Sequence, residues 1–223
     1  MKAPSVLLVF GASGHAKVVL DAIERLGTYR VAGLVARGVH SGADVFGYPV
    51  VGDDENLPSV LEDRHVDGAV VAIGDNCRRH EVARSARERF PAITFPPIVH
   101  PGAAIARGVT IGMGAVLLAG VVVNSDATVG EFCLLNTNAS LDHDSRMDLA
   151  SSLGPNAAVG GGASIGAFSA VAMGATVLQN RRIGEHTVVG AQSVVLKDVP
   201  SHTVAYGSPA RPIRPRRAGE PYL

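Results

Sequence analysis

From Val99 onward, every sixth residue is aliphatic for nearly a hundred residues. The series runs Val99, Ile105, Ile111, Leu117, Val123, Val129, Leu135, Leu141, Met147, Leu153, Val159, Ile165, Val171, Val177, Ile183, Val189 and Val195. A helix repeats near 3.6 residues and a strand at two, so a stride of six predicts a coil that turns a corner every six residues. Three such sides close one triangular turn of 18 residues with the stride residue inside, a parallel β-helix. Residues four places after the stride are nearly all small, among them Ala103, Ala115, Ala127, Ala139 and Ala157, as stacked corners require. Glycine follows the stride residue at 112, 130, 154, 160, 166, 184 and 190, where a tight bend favours a residue without Cβ. Arg181 breaks the small-corner rule. It predicts either a distorted coil or a guanidinium reaching for a partner.

Residues 1–96 lack the stride. Val6–Phe10 reads as a buried strand entering the turn Gly11-Ala12-Ser13-Gly14, followed by a helix from about His15 to Leu26 that Gly27 ends. Val31–Val35 is a second strand, and Asp53-Asp54 open a helical stretch. Val66–Ile73 is a third strand, breaking at Gly74-Asp75-Asn76 into a charged helix through Arg89. Strand and helix alternate, which predicts a small parallel sheet with its ligand crevice beyond the carboxyl ends of the strands. The expected organisation is an α/β Rossmann-like βαβ module (1–96), an all-β parallel β-helix (97–199) and a Pro- and Arg-rich cap (200–223) lying along it.

Composition narrows the function classes. Apolar residues make up 47% of the chain but aromatics only 4%, which suits a core of stacked Val, Ile, Leu and Ala. The formal net charge is zero, so no nucleic-acid surface is expected. The run Val6–Phe10 is too short to span a membrane, and Cys77 and Cys133 suggest no disulfide framework. A cytoplasmic protein is expected.

One histidine has unusual company, in Asn136-Thr137-Asn138-Ala139-Ser140-Leu141-Asp142-His143-Asp144. His143 follows the inward Leu141 by two, so it lies outside the prism between two carboxylates, an arrangement suited to a general base. One coil further on stands Gly161, within Gly160-Gly161-Gly162. Bare backbone beside a base leaves room for a substrate and offers an N–H to a developing oxyanion. The same arithmetic sets Gly154 beside Asn136. A solvated Asp-His-Asp corner is the other reading of these residues, and the triplet alone leaves both open. His40, His65, His80 and His186 are expected to be exposed, and His100 and His202 to lie at element boundaries without a partner. No three histidines converge, so no metal is expected. The glycine turn presents backbone amides at a helix N-terminus, suited to a phosphate, with His15 at its mouth; a turn that serves only to reverse the chain is the other reading, and the turn alone leaves both open.

The Gly-Ala-Ser-Gly-His opening, the Ala72-Ile73-Gly74-Asp75-Asn76 turn, the Asn136–Asp144 segment and the close Gly207-Ser208-Pro209-Ala210-Arg211 together resemble the NeuD/PglD-type sugar acyltransferase family, from Val6 to about Arg214. The resemblance implies a left-handed β-helix, a homotrimer, and acetyl-CoA as co-substrate in the groove between adjacent prisms. It implies N-acetylation of a nucleotide-linked amino sugar, with His143 the general base, Asp144 its orienting acid and Asn136 a further active-site residue. Gly161, Gly174, Ala175, Gly190, Ala191, Lys197 and Arg211 would line the acetyl-CoA path. Arg214, Arg216 and Arg217 extend that basic tail, the last two expected as solvated. Gly11, Ser13, Gly14, His15, Arg37, Gly74, Asp75 and Asn76 would line the nucleotide-sugar pocket.

The chain departs from the family pattern twice. Val35-Ala36-Arg37 stands where many relatives carry Asp, and Ser152 where many carry a second active-site His. O-acetylation of a sugar hydroxyl, and a β-helix that binds ligand without catalysis, are the alternative readings.

Overall fold

The computed structural model describes residues 5–53, 57, 60, 61 and 65–222. The N-terminal sheet contains β1 (Ser5–Phe10), β2 (Tyr29–Val35), β3 (Asp44–Val45), β4 (Tyr48–Gly52) and β5 (Gly68–Val71), in the order β3-β4-β2-β1-β5. Strand β1 is buried along its length after Ser5, because it pairs in parallel with β2 on one side and β5 on the other. Helix α1 (Gly14–Leu26) buries Ala16, Val19, Leu20 and Ile23 on one face. Gly27 ends it in the left-handed conformation (φ 69°), its N–H donating to the Ile23 carbonyl. Helix α2 (Asn76–Arg89) is capped by the Asp75 side chain, which accepts from the Arg78 amide.

Two features differ from expectation. The β3–β4 hairpin was not signalled by the hydrophobic pattern, yet β4 extends the parallel sheet through Leu34↔Val50. The third strand is shorter than Val66–Ile73, occupying Gly68–Val71. The helix expected from Asp53-Asp54 falls largely outside the described residues.

The stride produces the prism. Strands β6 (Ile98–Val99) to β22 (Val194–Val195) are each two residues long and form three parallel faces. Each strand of the middle coils pairs with the strands 18 residues before and after it, as in the column Val123, Leu141, Val159, Val177 and Val195. From Leu117 to Val195 every stride residue is at most 2% exposed, and the small corner residues fill the space between them. Ile105, in an end coil with no neighbour beyond it, is 38% exposed.

The glycines after the stride serve another purpose than a tight bend. None is in the left-handed region. A Cβ at Gly112 would come within 2.6 Å of the Glu131 amide nitrogen, and one at Gly154 within 2.7 Å of the Met173 nitrogen. Their small size is demanded by the next coil. The left-handed residues lie elsewhere, every sixth position from Asp126 through Phe132, Asn138, Asp144, Ala150 and Asn156.

Arg181 does not distort its coil. The Ser164 amide donates to its carbonyl at 2.9 Å, as the ladder requires, and its guanidinium turns outward to 3.8 Å from Asp198.

The module and the prism share a buried junction. Arg79, 1% exposed, donates from Nε to the Phe132 carbonyl (2.8 Å), from Nη1 to Ile73 and Gly74, and from Nη2 to Ala150 and the Asn76 side chain. Asn76 donates in turn to the Ser169 carbonyl. Beside them runs an aromatic stack. His80 meets Phe132 and Phe168 edge-on, and His186 lies face to face between Phe168 (4.8 Å) and His202 (5.1 Å). His80 and His186 are therefore half-buried, contrary to the sequence expectation. His202 has a partner, as has His100, whose Nδ1 accepts from the Gly102 amide.

The C-terminal segment adds β23 (Thr203–Gly207) beside β21 (Val188–Val189), then turns back antiparallel as β24 (Ala210–Pro215). Arg216, expected as solvated, is 4% exposed and donates to the His186 carbonyl. Among the described residues, no helix is long and apolar enough to cross a membrane.

Candidate active site

Most of the predicted residues lie at three places. At the prism corner, Asp144 adopts φ 57°, a conformation an Asp tolerates better than most residues. This turn swings its carboxylate back to 2.8 Å from His143 Nδ1. The carboxylate accepts, so Nδ1 carries the hydrogen and Nε2 keeps its lone pair toward solvent. Asp142, on the other side, accepts from the His143 amide and from Asn124 Nδ2 at 2.7 Å. The Asp144 hydrogen bond, then the Asp142 charge, raise the imidazole pKa above its ordinary value. Gly161 closes the corner, and a Cβ there would approach Nε2 and Cε1 to 2.6 Å. The Gly160 and Gly162 amides donate to the Val177 and His143 carbonyls, while the Gly161 amide has no hydrogen-bond partner among the described residues. A proton acceptor and a spare backbone donor thus lie side by side, bordering a cavity of about 500 Å³ with Gln179 and Asn180.

The second place is a crevice of about 440 Å³ at the carboxyl ends of β1, β2 and β5, lined by Gly11, Ser13, Ala36, Arg37, Gly74 and Arg78 among others. Gly11 (φ 118°) is required here, since a Cβ would sit 2.7 Å from the Ala72 carbonyl oxygen. Ser13 caps α1 through backbone only, so the first amides of that helix remain available to an anion. Arg37 stands in this crevice, and Arg78 is a second guanidinium that the sequence reading missed.

The third is an apolar groove of about 480 Å³ along the prism face. It runs from His15 and Gly74 past Asn136, Ser152 and Gly154 to Gly190 and Ala191. Burial, reinforced by the Arg79 charge, lowers the His15 pKa to about 4, so the ring is neutral at physiological pH. Gly74 borders both groove and crevice. Met173, Tyr206 and Tyr222 also line the groove and were not anticipated. Ser152 is buried and meets the Tyr222 hydroxyl at 3.3 Å.

Some predicted residues are engaged elsewhere. Asp75 is spent on the α2 cap and Asn76 on the junction. The Ala175 methyl lies inside the prism, its amide donating to Ala172 and its carbonyl accepting from Ala158. Gly174 occupies a left-handed corner against Gln192. Gly14, Lys197 and Arg211 are exposed, outside the three cavities. Asn136 and His143 line different cavities, so of the predicted catalytic residues one chain brings His143 and Asp144 together but leaves Asn136 apart.

A family model for the PglD N-terminal domain matches residues 6–86. Among solved structures, a mutant GDP-perosamine N-acetyltransferase from Caulobacter crescentus, in complex with CoA and GDP-perosamine, is 36% identical over 96% of this chain and 98% of its own, with a TM-score of 0.88. The acetyltransferase domain of PglB from Neisseria gonorrhoeae, in complex with acetyl coenzyme A, is 30% identical over 95% of this chain and 100% of its own, with a TM-score of 0.86. Among curated sequences, serine acetyltransferase 2 of Arabidopsis thaliana is 50% identical over 48 residues, 22% of this chain. The chain spans less than a fifth of the length of the curated relatives it matches.

Proposed function

The chain belongs to the NeuD/PglD-type family of sugar acetyltransferases, and from that membership we propose that it is an acetyl-CoA-dependent N-acetyltransferase of a nucleotide-linked amino sugar, acting in the cytoplasm. The observation that carries the mechanism is the His143 imidazole, fixed at Nδ1 by Asp144 and flanked by the Gly161 amide, which has no hydrogen-bond partner among the described residues. His143 Nε2 takes a proton from the sugar amine as nitrogen attacks the thioester carbonyl. The Gly161 N–H stabilises the charge developing on the carbonyl oxygen. When the C–S bond breaks, His143 returns its proton to the departing sulfur, leaving an amide and free CoA. The relatives' complexes with CoA and GDP-perosamine support this choice of substrates.

The crevice takes the nucleotide, with its phosphates toward the α1 N-terminus and Arg37. The sugar then passes Gly74 into the groove beside His15 and Asn136. The functional units are 1–96 for the nucleotide sugar, 97–199 for acyl transfer and 200–223 as the cap. Active protein is a homotrimer, in which His143 of one copy faces the groove of the next. The separation of Asn136 from His143 supports this reading. So does exposed apolar surface on Met173 (55%), Tyr206 (48%) and Leu196 (45%), which a neighbouring prism would cover.

The test is release of CoA thiol from acetyl-CoA with GDP-perosamine, set beside UDP- and dTDP-linked amino sugars and hydroxyl acceptors. The amine acceptor is acetylated, and His143→Ala loses at least a hundredfold in kcat with its assembly unchanged in light scattering. Near-full activity in that variant overturns the mechanism, and turnover of hydroxyl acceptors alone overturns N-acetylation.

A further inference from the structure

Tyr222 stands one turn beyond the last strand, yet its phenol reaches into the groove between the two halves of the protein. The path that takes it there is built closely. The Arg216 amide donates to the His202 carbonyl at 2.7 Å, and its guanidinium donates to the carbonyls of His186 and Glu220. Arg214 pairs with Glu220 at 2.7 Å, and Glu220 also accepts from the Arg217 amide. These contacts fold residues 216–220 into a turn that aims the next residues back at the module. The Arg216 guanidinium then lies 5.5 Å over the Tyr222 ring.

The hydroxyl has only loose partners. It donates to the Gly74 carbonyl at 3.4 Å and meets Ser152 Oγ at 3.3 Å, both at the long end of hydrogen-bond geometry. With its one hydrogen toward Gly74, the phenol accepts from Ser152. Ser152, Gly74 and Tyr222 all line the groove, together with His15 and Asn136. Leu134, Val171 and Val188 make most of the remaining wall apolar, so this hydroxyl pair is a concentrated polar feature of a groove that also holds the neutral His15 imidazole. A ligand hydroxyl or amine can replace a bond of 3.4 Å with one near 2.8 Å. A rigid ring carrying one hydroxyl discriminates between sugars at little entropic cost.

We propose that Tyr222 is an acceptor-binding residue: its hydroxyl, held between Ser152 and Gly74, hydrogen-bonds a polar group of the sugar that enters the groove. The C-terminal segment is then part of the specificity apparatus and not only a cap. This inference rests on the reading of the chain as an amino-sugar acetyltransferase.

The experiment is steady-state kinetics of Tyr222→Phe, Ser152→Ala and the double variant, with GDP-perosamine and acetyl-CoA each varied. Tyr222→Phe keeps the ring and its stacking against Arg216, so the melting temperature is unchanged. The KM for GDP-perosamine rises about three- to tenfold while that for acetyl-CoA stays constant. The double variant shows less than the sum of the single effects, because both hydroxyls serve one contact. An unchanged acceptor KM in an active enzyme overturns the inference and leaves the acetyltransferase reading standing. Equal losses for both substrates, accompanied by a lowered melting temperature, overturn it in favour of a structural tail. A wild-type protein that acetylates no amine acceptor overturns the reading and the inference together.

Discussion

Gly161 faces the His143 ring across one coil so closely that a β-carbon at 161 would lie 2.6 Å from both Cε1 and Nε2. No rotation of a methyl group relieves such an approach, so Gly161→Ala must displace the imidazole from its present position. Gly161 is outside the left-handed region, and alanine therefore introduces no backbone strain. The variant should keep its melting temperature within a few degrees and lose about a hundredfold in kcat, since small misplacements of a catalytic group are costly. Thermal unfolding and steady-state kinetics on one preparation check it. A near-native kcat would show that the His143 position is irrelevant to turnover.

Asp144 sets the acid limb of the pH profile. Its hydrogen bond is the largest cause of the raised His143 pKa, with the Asp142 charge second. Protonated imidazole cannot accept a proton, so kcat/KM falls as pH drops through a value above 6.5. Asp144→Asn removes the charge and lowers the His143 pKa. The acid limb moves to lower pH while the plateau drops about a hundredfold, because the tautomer is no longer held. A limb that moves upward or stays in place contradicts the assignment.

How much of this was legible follows from what controls each contact. One period sets both side-chain direction and coil-to-coil adjacency in the prism, so the neighbourhood of His143 and Gly161 could be read from numbers alone. The corner carrying Phe132, Ala150, Phe168 and His186 obeys the same period, but its partner is α2, which no local pattern reveals. Arg79 stands in Arg78-Arg79-His80, a run that reads as solvated helix surface. Its burial depends on carbonyls 53 and 71 residues further along. Tyr222 meets Gly74 across 148 residues of sequence, with no motif to announce it. The Arg181 and Arg216 positions likewise depend on Asp198 and on the His186 carbonyl.

Arg79 should be the most costly single truncation outside the prism core. The hydrogen-bond partners of its guanidinium among the described residues are neutral: the carbonyls of Ile73, Gly74, Phe132, Ala150 and Ser151, and the Asn76 amide oxygen. Arg79→Ala leaves those acceptors buried without donors and cuts the tie between module and prism. A loss of about 3–5 kcal/mol in unfolding free energy is expected, of the size seen when one side of a buried polar network is removed. Urea denaturation reads it, and a midpoint equal to that of the wild type would remove Arg79 from the junction.

His15 ties stability to pH in the opposite sense to His143. Burial and the Arg79 charge lower its folded pKa to about 4, from 6.5 for a free imidazole. At pH 5 the unfolded chain binds a proton there and the folded chain does not, so acid favours unfolding. The contribution is fully present above 6.5 and is lost progressively as pH falls toward 4. It amounts to about 3 kcal/mol across the whole window. His80 and His186, also lowered by burial, add to the slope in the same direction. His15→Asn removes one titrating group, so its unfolding free energy should fall less between pH 7.5 and pH 4.5 than that of the wild type. Urea midpoints at those two pH values decide the matter. Parallel losses in the two proteins would mean that His15 is already protonated, or solvated, in the folded state.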